Sequence, residues 1–230
     1  MSANLSPSKS LPLAVVALLA VVVGPLGAML GLFPPMLGFI NFLVGGAVGL
    51  AALIWGAVAK RRGRTRGGAL AALVGAVAFL VVAVPSVLAM TKGHPRINDI
   101  TTDRANPPAF LQSTDHGDYP KDFADVAAEA YPGVKSLELS VPSSRALAHA
   151  LDVARDRDGW EIVATTDGGF EAYELTTLFK FRDDFVVRVT GSGSGSILDM
   201  RSASRDGQGD FGVNAARIES FLAAVAERAK

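Results

Sequence analysis

Residues 11–59 contain no charged side chain, and after the short segment KRRGRTR (60–66) residues 67–90 contain none either. One bilayer crossing takes roughly 20 consecutive apolar residues, so the first run is long enough for two crossings and the second for one. The spans read as residues 11–30, 36–59 and 68–90. Between the first two, Gly31 and the Pro34-Pro35 pair interrupt a helix and mark a tight reversal. A cleaved secretory signal also places a basic residue before an apolar run, as Lys9 does here, but its core is shorter and two further runs do not follow it. A buried hairpin of a soluble protein is excluded by amount, because a chain of 230 residues needs no core of that size and composition.

Charge divides the chain at the same boundary. The first 90 residues carry only Lys9, Lys60, Arg61, Arg62, Arg64 and Arg66, while all 22 acidic residues follow Met90. Five of those cations fall in the loop 60–66, and short basic loops stay in the cytoplasm. That rule puts the N-terminus and loop 60–66 inside and residues 91–230 outside the plasma (inner) membrane, as an extracytoplasmic, periplasmic domain. Lys92 and Arg96 oppose it mildly and are offset by Asp99 and Asp103. Small residues recur in the spans, as GGAVG (45–49) and GALAALVGA (68–76), and favour close helix packing or self-association between copies. No ionisable side chain lies inside a span, which argues against an ion or proton path, and Asn41 reads as an interhelical hydrogen-bond donor. The chain has no cysteine, so thiol chemistry and disulfides are excluded.

Three segments follow from this: a membrane domain (1–90), a proline-rich extended arm (91–133) and a soluble α+β domain (134–230). Pro95, Pro107, Pro108, Pro120 and Pro132 keep the arm irregular, with one short helical turn at 122–130 and with Ile97, Ile100 and Phe110 as apolar anchors. Beyond it, VKSLELSV (134–141) reads as a short strand that leads into a helix ending near Asp158. WEIVATTD (160–167) and FEAYELTTLFKF (170–181) form a hairpin around Asp167-Gly168, the chain turns at 182–184, and FVVRVTG (185–191) pairs with SILDMRSAS (196–204). A helix from Val213 or Asn214 to Arg228 presents Ile218, Phe221, Leu222 and Val225 on one stripe. The expected architecture is three transmembrane helices followed by an antiparallel sheet of about four to five strands with two helices on one face. Alternation sends Asp199 and Arg201 one way and Leu198 and Met200 the other.

INDITTDRANPPAF (97–110) and the block DMRSASRDGQGDFGVNAARIESF (199–221) resemble the two signature segments of the bacterial and plastid family catalogued as domain of unknown function 1499. The resemblance extends over roughly residues 97–224 and rests on Asn98, Asp99, Pro107, Pro108 and Phe110 in the first segment. In the second it rests on Arg201, Ser202, Ser204, Arg205, Gly207, Asp210, Gly212, Asn214, Ala215, Arg217 and Ile218. It implies an uncharacterised domain, often membrane-attached, and transfers no catalytic role.

The residues themselves leave two readings of the arginines. Arg201, Arg205 and Arg217 can grip a phosphate or carboxylate beside the last helix's N-terminus, or they pair with Asp199, Asp210 and loop carbonyls while Asp210 or Asn214 caps that helix. The competing carboxylates in the same segment favour the second. GSGSG (191–195) lacks the Lys-Ser/Thr of a phosphate loop and reads as a hairpin tip. His94, His116 and His149 are far apart, and neither DHGD (115–118) nor Asp99 with Asp103 has metal-loop spacing, so neither metal nor cofactor is expected. A hydrolase would need Ser202 or Ser204 beside a histidine, and none follows His149. An acidic soluble part without a basic aromatic surface excludes nucleic acid. The expected role is binding or envelope organisation, with a small anion or an envelope protein as partner, the lipid bilayer as anchor, and an envelope hydrolase or small-anion sensor as the rival.

Overall fold

The computed structural model describes residues 9–63 and 65–230, and the side chains of Thr65 and Arg66 fall outside that description. The expected N-terminal placement of residues 1–8 and the contribution of Arg64 to the basic loop therefore lie outside the described residues. The chain divides into two compact units, one comprising the residues up to Lys92 with Thr177–Lys180, the other Gly93–Thr176 with Phe181–Lys230.

The first unit is built on α1 (Ser10–Met29), α2 (Pro35–Arg61) and α3 (Thr65–Thr91). Each is long and apolar enough to cross a bilayer, and the chain is a multi-pass membrane protein. Apolar side chains such as Val16, Leu19, Ile54 and Leu73 face outward, as they do where lipid replaces water. Between the helices the contact is made by small residues. A Cβ on Gly49 would lie 2.9 Å from the Gly75 carbonyl oxygen, and one on Gly56 would lie 2.7 Å from that of Gly68, so α2 and α3 approach backbone to backbone at both levels. Asn41 Nδ2 donates to the Ala20 carbonyl of α1 at 3.1 Å, an interhelical bond.

The second unit is one antiparallel sheet clad on both faces. It contains β1 (Asp99–Thr101), α4 (Lys121–Ala130), β2 (Leu137–Leu139), α5 (Ser143–Arg155), β3 (Trp160–Thr166), β4 (Gly169–Leu175), β5 (Arg182–Ser192), β6 (Gly195–Ser204) and α6 (Val213–Arg228). The strand order is β1-β6-β5-β4-β3, with β2 also paired to β6. The sheet thus has six strands and the unit three helices, more than the four to five strands and two helices expected. The extra elements are three-residue β1 and ten-residue α4, both inside the segment read as an irregular arm. A three-residue strand carries too little period-2 pattern to register in a sequence. The turn expected at 182–184 is also displaced. β5 already begins at Arg182, and the connection 176–181 is closed by the Thr176 amide donating to the Phe181 carbonyl and the Phe181 amide to Thr176 Oγ1. Gly193 and Ser194 alone turn the β5–β6 hairpin, Gly193 with φ +60°.

Alternation along the strands sorts the chemistry onto two faces. One face presents Phe170, Ala172, Phe185, Val187, Val189, Leu198 and Met200 to α5 and α6, whose Leu147, Ala150, Ile218, Phe221 and Val225 complete the core. Phe221 is fully buried, with its ring 5.4 Å from Trp160 and 6.3 Å from Phe170. Neighbouring strand positions on the other face carry Glu171, Asp184, Arg188, Asp199 and Arg201, and these polar groups are covered by residues 98–120.

Candidate functional site

The three signature arginines are divided between the two faces. On β6, Ser202 points to α6 and its neighbour Arg201 points to the arm, so the sequence-adjacent pair is separated by the thickness of the sheet. Arg217 lies on the α6 side, where it donates to Asp183 Oδ2 at 2.7 Å, Glu174 Oε2 at 2.9 Å, Asn214 Oδ1 at 2.6 Å and Ser202 Oγ at 3.0 Å. Asn214 closes that network, donating through Nδ2 to the Asn98 carbonyl and to Ser204 Oγ. Ser202 and Ser204 are therefore engaged with an amide and a guanidinium rather than with a histidine, and His149 sits half-buried on α5.

Asp210 shapes the start of α6. Its carboxylate accepts the Gly212 amide at 2.9 Å and the Asn214 amide at 2.7 Å, satisfying donors that the first helical turn leaves open. Gly212 is required there twice over: its φ is +82°, and a Cβ would come within 2.6 Å of the His94 ring.

On the arm side, Arg201 holds Asp99 in a two-point bond, Nε to Oδ1 at 3.0 Å and Nη2 to Oδ2 at 2.7 Å, and also donates to the Gly117 carbonyl at 3.0 Å. Its guanidinium lies 5.0 Å from the Phe110 ring and 5.7 Å from the Tyr119 ring. Asp199 is the direct cross-strand partner of Arg188 and accepts from it at 3.0 Å, from Ser136 Oγ at 2.6 Å and from Thr102 Oγ1 at 3.0 Å. Register, which alternation alone leaves open, supplies that pair.

A second carboxylate hub joins arm and sheet. Asp184, with no exposed surface, accepts from Arg205, Arg182 and His116 Nε2 at 2.6, 2.8 and 2.9 Å. Burial by itself favours its neutral form, but the hydrogen bonds from His116, Arg205 and Arg182 outweigh that and hold the carboxyl well below the usual carboxylate range. Arg205 extends to Asp115 at 2.6 Å, and its bond to Asp184 raises its own affinity for a proton. Buried Glu171 is the third clamp: it accepts the backbone amides of Leu111, Gln112 and Ser113 at 2.5–2.9 Å, which orders the middle of the arm.

Held in this way, the arm borders an open cavity of about 680 Å³ lined by Arg104, Pro107, Phe110, His116, Tyr119 and Lys121, together with Arg201 of β6. Phe110 stacks on His116, with ring centroids 4.5 Å apart. The Tyr119 hydroxyl is buried, and that burial, with Asp99 nearby, pushes its pKa up to about 12. Of the signature residues, Pro107, Phe110 and Arg201 border this cavity; Asn98, Asp99, Arg205 and Ser204 border a smaller one beside it. Arg104, Tyr119 and Lys121 escaped the sequence reading, although the dense prolines around them signal a fixed loop. Among the described residues, no group of three or more His, Cys, Asp or Glu is placed to hold a metal ion.

No curated protein matches the chain significantly, and no solved structure does. One family model does match, over residues 99–225, which takes in β1, the clamped arm, the whole sheet and nearly all of α6. The chain belongs to that family, described as protein of unknown function DUF1499.

Proposed function

We propose that the protein is a membrane-anchored binding module, with its α+β domain displayed on the extracytoplasmic side of the plasma (inner) membrane. On this reading the polar cluster of Arg201, Arg205, Arg217, Asp199, Asp210 and Asn214 is scaffold, and the ligand site is the cavity under the arm. The observation that carries it is the contrast in charge compensation. Arg201, Arg205 and Arg217 each face carboxylates at 2.6–2.9 Å, whereas Arg104 and Lys121 line the cavity without an ion pair among the described residues. Orientation is supported by the five basic residues of loop 60–66.

A hydrolase gains little support. His116 and Asp184 form a dyad beside the cavity, but Ser113 Oγ lies 3.5 Å from that same carboxylate rather than against the imidazole, so no nucleophile–base pair is made. The binding reading is tested with the full chain in nanodiscs and a small-molecule fragment screen read by thermal shift. Compounds that stabilise the natural sequence and fail to stabilise Ala124→Trp or Ala109→Trp, each of which adds an indole at the cavity lining, are the expected result. A screen in which every stabilising compound acts equally on these variants would overturn it.

A further inference from the structure

Among the described residues, two buried hydrogen-bond donors of the second unit lack an acceptor and belong to side chains that line the same cavity: Arg104 Nε and the Tyr119 hydroxyl. Buried donors normally find partners, because leaving one unpaired costs the full desolvation of the group. Tyr119 is only 8% exposed, and among the described residues the Arg104 side chain makes a single hydrogen bond, from Nη2 to the Val134 carbonyl at 3.2 Å. The third orphan, Arg188 Nε, differs in that its guanidinium is already held by Asp103 and Asp199.

Charge and shape point the same way. Arg201 is neutralised by Asp99 and serves as a platform beneath Phe110 and Tyr119. Arg104 and Lys121 remain, opposed within the lining only by exposed Asp118, so the wall carries about one net positive charge. Phe110, Pro107, Ala109 and Ala124 supply an apolar side, and the volume of about 680 Å³ lies in the range of small-molecule sites.

We propose that this cavity takes a monoanionic oxyacid on an apolar body, a carboxylate or a phosphodiester, with Arg104 and Tyr119 donating to the oxygens and Phe110 and Pro107 packing the body. This rests on the reading of the domain as a binding module and specifies what it binds. Tyr119 keeps its proton throughout the physiological range, so the hydroxyl is a donor there at every pH. Lys121, exposed on the first turn of α4, draws the anion in without fixing its orientation.

The test is calorimetric titration of benzoate, benzyl alcohol and benzylamine into the full chain in phosphatidylcholine nanodiscs. Benzoate is expected to bind and the neutral and cationic analogues to fail. Arg104→Gln is expected to weaken benzoate by about tenfold or more and Tyr119→Phe by several-fold, with the fold of each verified by circular dichroism. Adding soluble glycerophosphoglycerol, the free phosphatidylglycerol headgroup, identifies the source: displacement of benzoate marks a phosphodiester headgroup as occupant, and no displacement marks a free carboxylate. Equal affinity for the three analogues, no binding of benzoate, or a benzoate affinity indifferent to Arg104→Gln overturns the proposal. If fragments that distinguish Ala124→Trp are then all neutral or cationic, the binding reading stands and the anion is wrong; if none distinguishes it, both fall.

Discussion

Asp184 gathers more cationic donors than any other carboxylate described in the second unit. Three donors from three segments, His116 in the arm, Arg182 at the start of β5 and Arg205 just after β6, converge on a carboxylate with no exposure. Because its folded pKa is depressed, its contribution to stability is present above the unfolded value of about 3.9 and is lost as pH falls through the folded value. Asp184→Asn removes the charge that half-buried Arg182 and Arg205 share, while Arg205 keeps Asp115, and is expected to cost about 1–3 kcal/mol at pH 7. In urea melts, the gap between this variant and the natural sequence should narrow as pH drops below about 4; a gap independent of pH would contradict the linkage. Gly212→Ala is expected to cost about 1–3 kcal/mol, since it places a side chain at φ +82° and against the His94 ring. A melting temperature unchanged by that substitution would remove the conformational argument.

At the scale of elements, the arm is held less by its apolar residues than by the carboxylates beneath it. Ile97 and Ile100 do reach the core, but Phe110 leaves it to stack on His116 and Arg201. Glu171→Gln removes the charge from the clamp on three amides and is expected to lower local stability by about 1–3 kcal/mol. Hydrogen exchange at residues 111–113 should then accelerate while α6 stays protected; protection unchanged in the arm would place its anchor elsewhere. In the membrane unit, Gly49→Val drives a side chain into the Gly75 carbonyl and Ala78, and should separate α2 from α3, read as a lower melting temperature in detergent. What could be read beforehand follows from pattern strength. The apolar spans, the β3–β4 turn at Asp167-Gly168 and the stripe of α6 repeat over enough residues to be legible. Three-residue β1, the clamped arm and the cavity depend on distant partners, such as Ser113 with Glu171, 58 positions away, and Asp99 with Arg201, 102 positions away, and no local periodicity encodes them. The signature block misleads for a related reason: adjacency in sequence suggests one cluster, yet the pleat sends Arg201 and Ser202 to opposite sides.

For the molecule as a whole, the family match covers the second unit from β1 into α6, while the three apolar helices precede it. The proposed use of the cavity as a binding site depends on which compartment it meets. The basic loop 60–66 is the ground for the proposal that the domain is extracytoplasmic. The chain contains no cysteine, so any introduced thiol is a unique probe. Thr114→Cys, at an exposed arm position, and Arg62→Cys, exposed beyond α2, should therefore be compared in intact cells with a membrane-impermeant maleimide. Labelling of Cys at 114 in intact cells, with Cys at 62 labelled only after permeabilisation, is the result expected of an extracytoplasmic binding module. Labelling of 62 and protection of 114 would put the cavity in the cytoplasm and contradict the account.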